Sequence, residues 1–223
     1  MKELKNIKNI LFDCDGVLYK DLEAVFGQVS KRMTNYISKK LNLNIEKAKE
    51  LQTNYFHKYN TSLNGLMIHH DIEPKDFLKY VHDINLDFME KDLSLREQLE
   101  NLNLKKFVFT NGSKEHVENI TKHLGIDDQF HGIFDIVDAE FNPKPEAKAF
   151  DLMVNKFNIE PKETIYIEDI AKNLSIAKVR GSTTVWLIND EYWGKKESDK
   201  DYIDYKIENL SLFLKEIRLL KKS

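Results

Sequence analysis

The sequence predicts an α/β protein: a parallel sheet with helices on both faces, and an all-helical module inserted after the first strand. Three observations predict it. An apolar run, Ile10 to Phe12, ends in the stretch FDCDGVLY. The segment from about Leu22 to about Leu102 then holds no convincing strand. From Lys105 onward, short apolar runs alternate with helical patterns, which is how βαβ units with right-handed crossovers read.

Taken in order, the first strand gives out at Asp13 and Asp15. Side chains two apart on an extended backbone point the same way, so both carboxylates face one space while Cys14 turns into the core. Like charges this close repel, so the pair needs solvent, a cation or a shared proton. Alone, the motif also reads as a solvated Asp-Gly turn. Val25, Val29, Arg32, Met33, Tyr36, Ile37 and Leu41 follow mostly helical spacing, and Ile45, Ala48, Leu51, Tyr55, Phe56 and Tyr59 continue it. Ser94 and Glu97 have capping-box spacing, so a further helix is expected to start at Ser94.

KKFVFTNG reads as a short buried strand ending in a turn, and Val117, Ile120 and Leu124 as a helix stopped by Gly125. The strand IFDIV comes next, then a helix from about Pro145 carrying Phe150, Met153, Val154 and Phe157. TIYIED is a strand, another helix ends at Gly181, and TTVWL is a strand. NDEYWGKKESDKDY is expected to be a mobile surface loop, and Asn209 opens a last amphipathic helix. Because the first strand precedes the helical module and its sheet partners follow it, residues 19–93 are expected to form a cap over the strands' carboxyl ends. Residues 1–18 and 94–223 then form the core.

Charged residues are 32% of the chain and hydrophobic residues 41%, a globular composition. With 34 Lys and Arg against 37 Asp and Glu, there is no electrostatic case for a nucleic-acid partner. No apolar run approaches a membrane span, and too few apolar residues follow the basic start for a secretory signal. Cys14 stands alone, which rules out an internal disulfide and fits a reducing cytoplasm. Oligomeric state leaves no mark on the sequence.

Open parallel sheets bind ligands beyond the carboxyl ends of their strands. The exits here supply Asp13 and Asp15; Thr110, Asn111 and Gly112; Lys144, flanked by prolines in NPKPE; and Glu168 with Asp169. Four carboxylates face one lysine, so the bare site would repel an anionic substrate. A hard cation such as Mg²⁺, which shares oxygen ligands with phosphate, resolves that conflict. A phosphate monoester resists nucleophiles through its own charge, and these are the residue types that would neutralise it and hold an in-line attack.

In this set and order of motifs, nearly the whole chain resembles the phosphatase form of the haloacid dehalogenase-like hydrolase superfamily. The resemblance implies a Rossmann-like core, a helical cap, Mg²⁺ and an aspartyl phosphate. It implies that Asp13 is the nucleophile and Asp15 the acid and base. It further implies metal ligation by Asp13, the Asp15 backbone carbonyl and Asp169, with Glu168 acting through water. Thr110 and the amides near Asn111 and Gly112 would hold phosphate oxygens, and Lys144 would pair with Asp13 and the phosphate. The departures are small: Glu168 precedes Asp169 where many members have two aspartates, and Ile170 stands where many have serine. Asn173 reads as a helix cap before it reads as a brace for this motif.

The cap must supply the substrate preference. NYFHKYNTSLNGLMIHH, with FDCDGVLY, resembles the pyrimidine 5′-nucleotidase branch, which implies UMP or CMP as substrate. Tyr59 and His69 are the substrate contacts this resemblance selects. A phosphatase for sugar phosphates or phosphoglycolate would share every core residue, as would a phosphomutase, which returns phosphate to its substrate. Dehalogenation has no leaving oxygen for Asp15 to protonate. A noncatalytic phospholigand sensor needs neither nucleophile nor acid.

Overall fold

The computed structural model describes Leu4 and residues 6–221, so the expected core limits at 1 and 223 lie outside the described residues. Among these, six parallel strands form one sheet in the order β3-β2-β1-β4-β5-β6. They are β1 (Asn9–Phe12), β2 (Lys105–Phe109), β3 (Gly132–Phe134), β4 (Thr164–Glu168), β5 (Thr183–Leu187) and β6 (Tyr205–Ile207). The central strands NILF and TIYIE are buried at every position, as expected of strands covered on both faces. Phe12 lies opposite Val108 of β2 and Ile167 of β4. Asp13, the next residue, therefore leaves the sheet where the strand order turns in opposite directions. Such a switch point opens a crevice between neighbouring crossovers.

Between β1 and β2 lie α1 (Leu22–Leu41), α2 (Ile45–Tyr59), α3 (Ser62–His70), α4 (Pro74–Val81) and α5 (Leu93–Glu100). The later helices are α6 (Lys114–Leu124), α7 (Ala147–Phe157), α8 (Ser175–Val179), α9 (Tyr192–Lys195) and α10 (Leu210–Leu220). Asp21, Asn44 and Thr61 each accept the backbone N–H that opens α1, α2 and α3. The first four helices bury a cluster centred on Val29, Ile37, Ala48, Leu66, Phe77 and Val81, joined from the sheet side by Ile136. Lying between β1 and β2 and packed chiefly on one another, they are the inserted cap. On one face of the sheet, Phe12, Val108 and Ile167 pack with Leu99, Val117 and Leu214 of α5, α6 and α10. On the other face, Leu11, Phe109 and Tyr166 pack with Phe150 and Met153 of α7 and Ala177 of α8.

The structure differs from the sequence reading at four elements. Helix α5 is capped by Asp92, which accepts from Leu95 N at 2.8 Å, so Ser94 lies inside the first turn. The IFDIV strand stops at Phe134, because the Asp135 carboxylate accepts from the backbone of Lys114, Val137 and Asp138 and turns the chain. The helix expected from Pro145 begins at Ala147. The stretch taken as a surface loop contains α9 and leads into β6, an edge strand of three residues and too short to show a period. Among the described residues no helix is long and apolar enough to cross a membrane.

Candidate active site

Four strand exits meet in one buried cluster. Asp13, at the end of β1, Thr110, after β2, Lys144, and Glu168 with Asp169, at the end of β4, are all buried. Lys144 Nζ lies 2.8 Å from Asp13 Oδ1 and 2.7 Å from Glu168 Oε1, and it also donates to Phe109 O at 3.0 Å. Burial alone would lower the Lys144 ammonium, but the Asp13 and Glu168 carboxylates more than reverse this and keep it charged. Asn111 holds the segment carrying Lys144, its Oδ1 accepting from Lys144 N at 2.8 Å. Thr110 Oγ1 accepts from Gly112 N at 2.9 Å, which folds the turn of TNG over the cluster.

Glu168 is saturated with donors. Its Oε1 accepts from Lys144, Tyr166 and Asn173, and its Oε2 from Ile170 N at 2.8 Å. Asn173 thus braces the motif, at 2.7 Å, and does not cap a helix. Ile170 is the N-cap residue of the short helical turn that Asn173 sits in and gives it no side-chain cap, the hydrogen bond a serine there could supply. Trp186 Nε1 and Asn189 Nδ2 both donate to Asp169 O and fix that residue from β5 and beyond. Gly16, at φ +76°, lets the chain pass Asp169; a Cβ there would stand 2.3 Å from Asp169 Oδ2.

Asp15 is held apart from this cluster. Its Oδ1 accepts from Tyr19 Oη at 2.5 Å and lies 2.8 Å from His116 Nε2. Burial works to raise the Asp15 carboxyl, but charge and hydrogen bonding from His116, with the Tyr19 hydroxyl, bring it down to about 2. Asp13 moves the other way, up to about 7, through burial and the Glu168 charge, with Lys144 only partly offsetting them. His116 stacks on His82 with ring centroids 4.3 Å apart, and His82 Nδ1 lies 2.9 Å from Ser113 Oγ. Burial, with the neighbouring His116, lowers His82 to about 3, so it is a neutral partner for Ser113.

The site fits a hard divalent cation. Oxygen atoms of Asp13, Glu168 and Asp169 lie within 4.8 Å of one another, and Asp169 Oδ1 is buried with no hydrogen-bond partner. A carboxylate oxygen left without a donor in such a place is costly unless something positive meets it.

Above the cluster a cavity of about 270 Å³ opens toward the cap. Asp13, Asp15, Thr110, Gly112, Lys144 and Asp169 line its floor, and Phe26, Phe56, Phe77 and Trp193 its walls. Tyr59 and His69 do not line it. They bond to each other where α2 meets α3, with Tyr55 stacked on His69 and its hydroxyl 2.7 Å from His70 Nε2. Tyr19, His116, Tyr166 and Trp193 are the site residues the sequence reading missed. His116 had left a signal, since it stands beside Val117 on the apolar side of α6 where a polar residue needs a partner. Trp193 had left none, because the short stretch EYWGKK around it carries no apolar period. Cys14 is buried in the core and faces away, as the strand alternation requires.

A capped α/β fold with buried carboxylates and one lysine at its switch point defines a class of hydrolases. The model of the haloacid dehalogenase-like hydrolase family matches residues 7–179, and the chain belongs to that family. It is 28% identical over 209 residues to Phosphate metabolism protein 8 of Saccharomyces cerevisiae, covering 86% of this chain but 64% of that longer protein. It is 28% identical over 241 residues to Glyceraldehyde 3-phosphate phosphatase of Methanocaldococcus jannaschii, covering 97% of this chain and 99% of that protein. Among solved structures, a HAD phosphatase from Thermococcus onnurineus matches with a TM-score of 0.61 at 21% identity, over 96% of this chain and 97% of that one. CbbY from Rhodobacter sphaeroides, in complex with xylulose-(1,5)bisphosphate, matches with a TM-score of 0.63 at 17% identity, over 91% and 94%. These structures share the fold.

Proposed function

We propose that the protein is a Mg²⁺-dependent phosphomonoesterase that works through an aspartyl phosphate on Asp13 and releases phosphate from pyrimidine nucleoside monophosphates such as UMP and CMP. The observation that carries this reading is the site itself: Asp13 held by Lys144 beside an unpartnered Asp169 oxygen, at the floor of a cavity with aromatic walls. Asp13, Asp169 and the Asp15 backbone carbonyl would hold Mg²⁺. Glu168, whose oxygens already serve four donors, would act through water. When bound, the ion supplies positive charge to the phosphate oxygens.

An Asp13 oxygen attacks phosphorus in line with the ester oxygen, while Lys144 and the Thr110–Gly112 turn hold the equatorial oxygens. Asp15, a carboxylate in the substrate-free site, takes up a proton as the negatively charged ester binds beside it and passes that proton to the leaving oxygen. Departure of the alcohol then leaves Asp15 as a carboxylate, the form that His116 and Tyr19 stabilise, and in that form it takes a proton from the water that hydrolyses the aspartyl phosphate. The single cysteine and the absence of a membrane-length helix among the described residues fit the proposed cytoplasmic setting.

The apolar walls favour a substrate with a flat or greasy body over a bare sugar phosphate. The names of the archaeal relatives favour a second reading, a phosphatase for small sugar phosphates. Phosphate release from UMP, CMP, ribose 5-phosphate and glyceraldehyde 3-phosphate separates the two. Preference for UMP and CMP supports the nucleotidase reading, and preference for either sugar phosphate replaces it with the second.

A further inference from the structure

The cavity has a second polar end that phosphate chemistry does not use. Trp193 of α9 stands 6.5 Å, between ring centroids, from Phe26 of α1 and 6.3 Å from Phe56 of α2, so three elements contribute one aromatic wall. Beyond it, Ser30 Oγ accepts from Lys49 Nζ at 2.8 Å and from Gln52 Nε2 at 3.1 Å. Gln52, 6% exposed, is fixed in turn by the Thr34 hydroxyl at 2.6 Å. Ser30, Lys49 and Gln52 border the same cavity as Asp13 and Lys144. Among the described residues Lys49 forms no ion pair, and Ser30 Oγ is its one side-chain acceptor.

An ammonium with N–H groups to spare, at the end of an aromatic wall, is a donor waiting for an acceptor on a flat ring. We propose that the Ser30–Lys49–Gln52 end reads carbonyl oxygens on a base stacked against Trp193, which makes Lys49 and Trp193 specificity-determining residues. The inference rests on the phosphomonoesterase reading and names what that site selects. Lys49 can only donate. It therefore favours uracil and cytosine, which carry ring carbonyl oxygens, over adenine, which carries none. Trp193 supplies the stacking surface and, being on the core, brings the wall together with the cap helices that carry Phe26 and Phe56.

The test compares kcat and KM for UMP, AMP and phosphoglycolate in the wild type, Lys49→Met, Lys49→Arg and Trp193→Ala, with uridine binding to Asp13→Asn measured by calorimetry. Lys49→Met is expected to raise KM for UMP about tenfold or more, to narrow the UMP to AMP ratio, and to weaken phosphoglycolate far less. Lys49→Arg should recover most of the UMP preference. Trp193→Ala is expected to lose about tenfold in UMP affinity. Equal losses on all three substrates, or an unaltered UMP to AMP ratio in Lys49→Met, overturn the proposal. If phosphoglycolate is turned over while Asp13→Asn binds no uridine, the base-reading end is wrong and the phosphatase reading stands. If uridine binds to Asp13→Asn and is lost on adding Lys49→Met, while the wild type releases no phosphate from any ester, the base-reading end stands and the phosphatase reading falls.

Discussion

Asp15 and Asp13 stand two residues apart yet are tuned in opposite directions, to about 2 and about 7, because His116 and Tyr19 overcome burial at the first while burial and then the Glu168 charge raise the second. Separating two carboxylates in this way is how one site obtains two roles from one residue type. His116→Gln removes the charge that overcomes burial at Asp15, so its carboxyl should rise. The acidic limb of the kcat profile is then expected to move to higher pH, with kcat falling about 100-fold at neutrality and KM changing little. A pH profile unchanged in position would make His116 a packing residue only. Gly16→Ala forces a Cβ against Asp169 at a positive φ, and is expected to cost about 1 to 3 kcal/mol in urea unfolding as well as most of the activity. At this scale the core motifs were legible because each sits where an apolar run ends and alternation fixes its direction. His116 and Tyr19 were not, because their partner Asp15 is distant from one and a helical turn's spacing from the other, and neither distance marks a contact in sequence.

At the scale of elements, the strands and helices that pack the sheet were readable, since their apolar faces carry an unbroken period. Helix α7 buries Phe150 fully against Phe109 and Met153 lies beside it in the same cluster. Phe150→Ala is accordingly expected to lose about 3 to 5 kcal/mol in urea unfolding, and a loss under 1 kcal/mol would contradict the packing described. Helix α9 and strand β6 escaped notice because they are short and charged on their outer sides. Their placement is tertiary: Trp193 is drawn to Phe26 and Phe56 on the cap, a long-range contact with no local pattern. Tyr59 and His69, expected as substrate contacts, do not line the cavity for the same reason. Tyr59 and His69 have an arresting local sequence, but the helix phase turns them to the surface, while Phe26, Lys49, Gln52 and Phe56 face the cavity.

The whole molecule joins a sheet that carries the buried carboxylate cluster to a helical cap that walls the cavity above it, with polar ties at Lys172–Asn60 and Ser113–His82 and the aromatic contact at Trp193. Its stability should depend on pH through the buried carboxylates. In the metal-free protein Asp13 is raised to about 7 and Asp169 is raised by burial and by Glu168, so folding favours their protonated forms. Their contribution is present below the unfolded carboxylate range and is lost as pH rises through about 7. The Tm of metal-free protein is expected to fall between about pH 4 and pH 7 more steeply than that of Asp13→Asn, and millimolar Mg²⁺ should flatten the fall. Identical slopes would show that the cluster is not strained by charge. The most direct test of the central claim is phosphate release from UMP by the wild type and by Asp13→Asn, each with Mg²⁺ or with EDTA. Release by the wild type with Mg²⁺ alone, and none from Asp13→Asn, is the predicted result; release by Asp13→Asn at the wild-type rate would contradict an aspartyl-phosphate mechanism at this site.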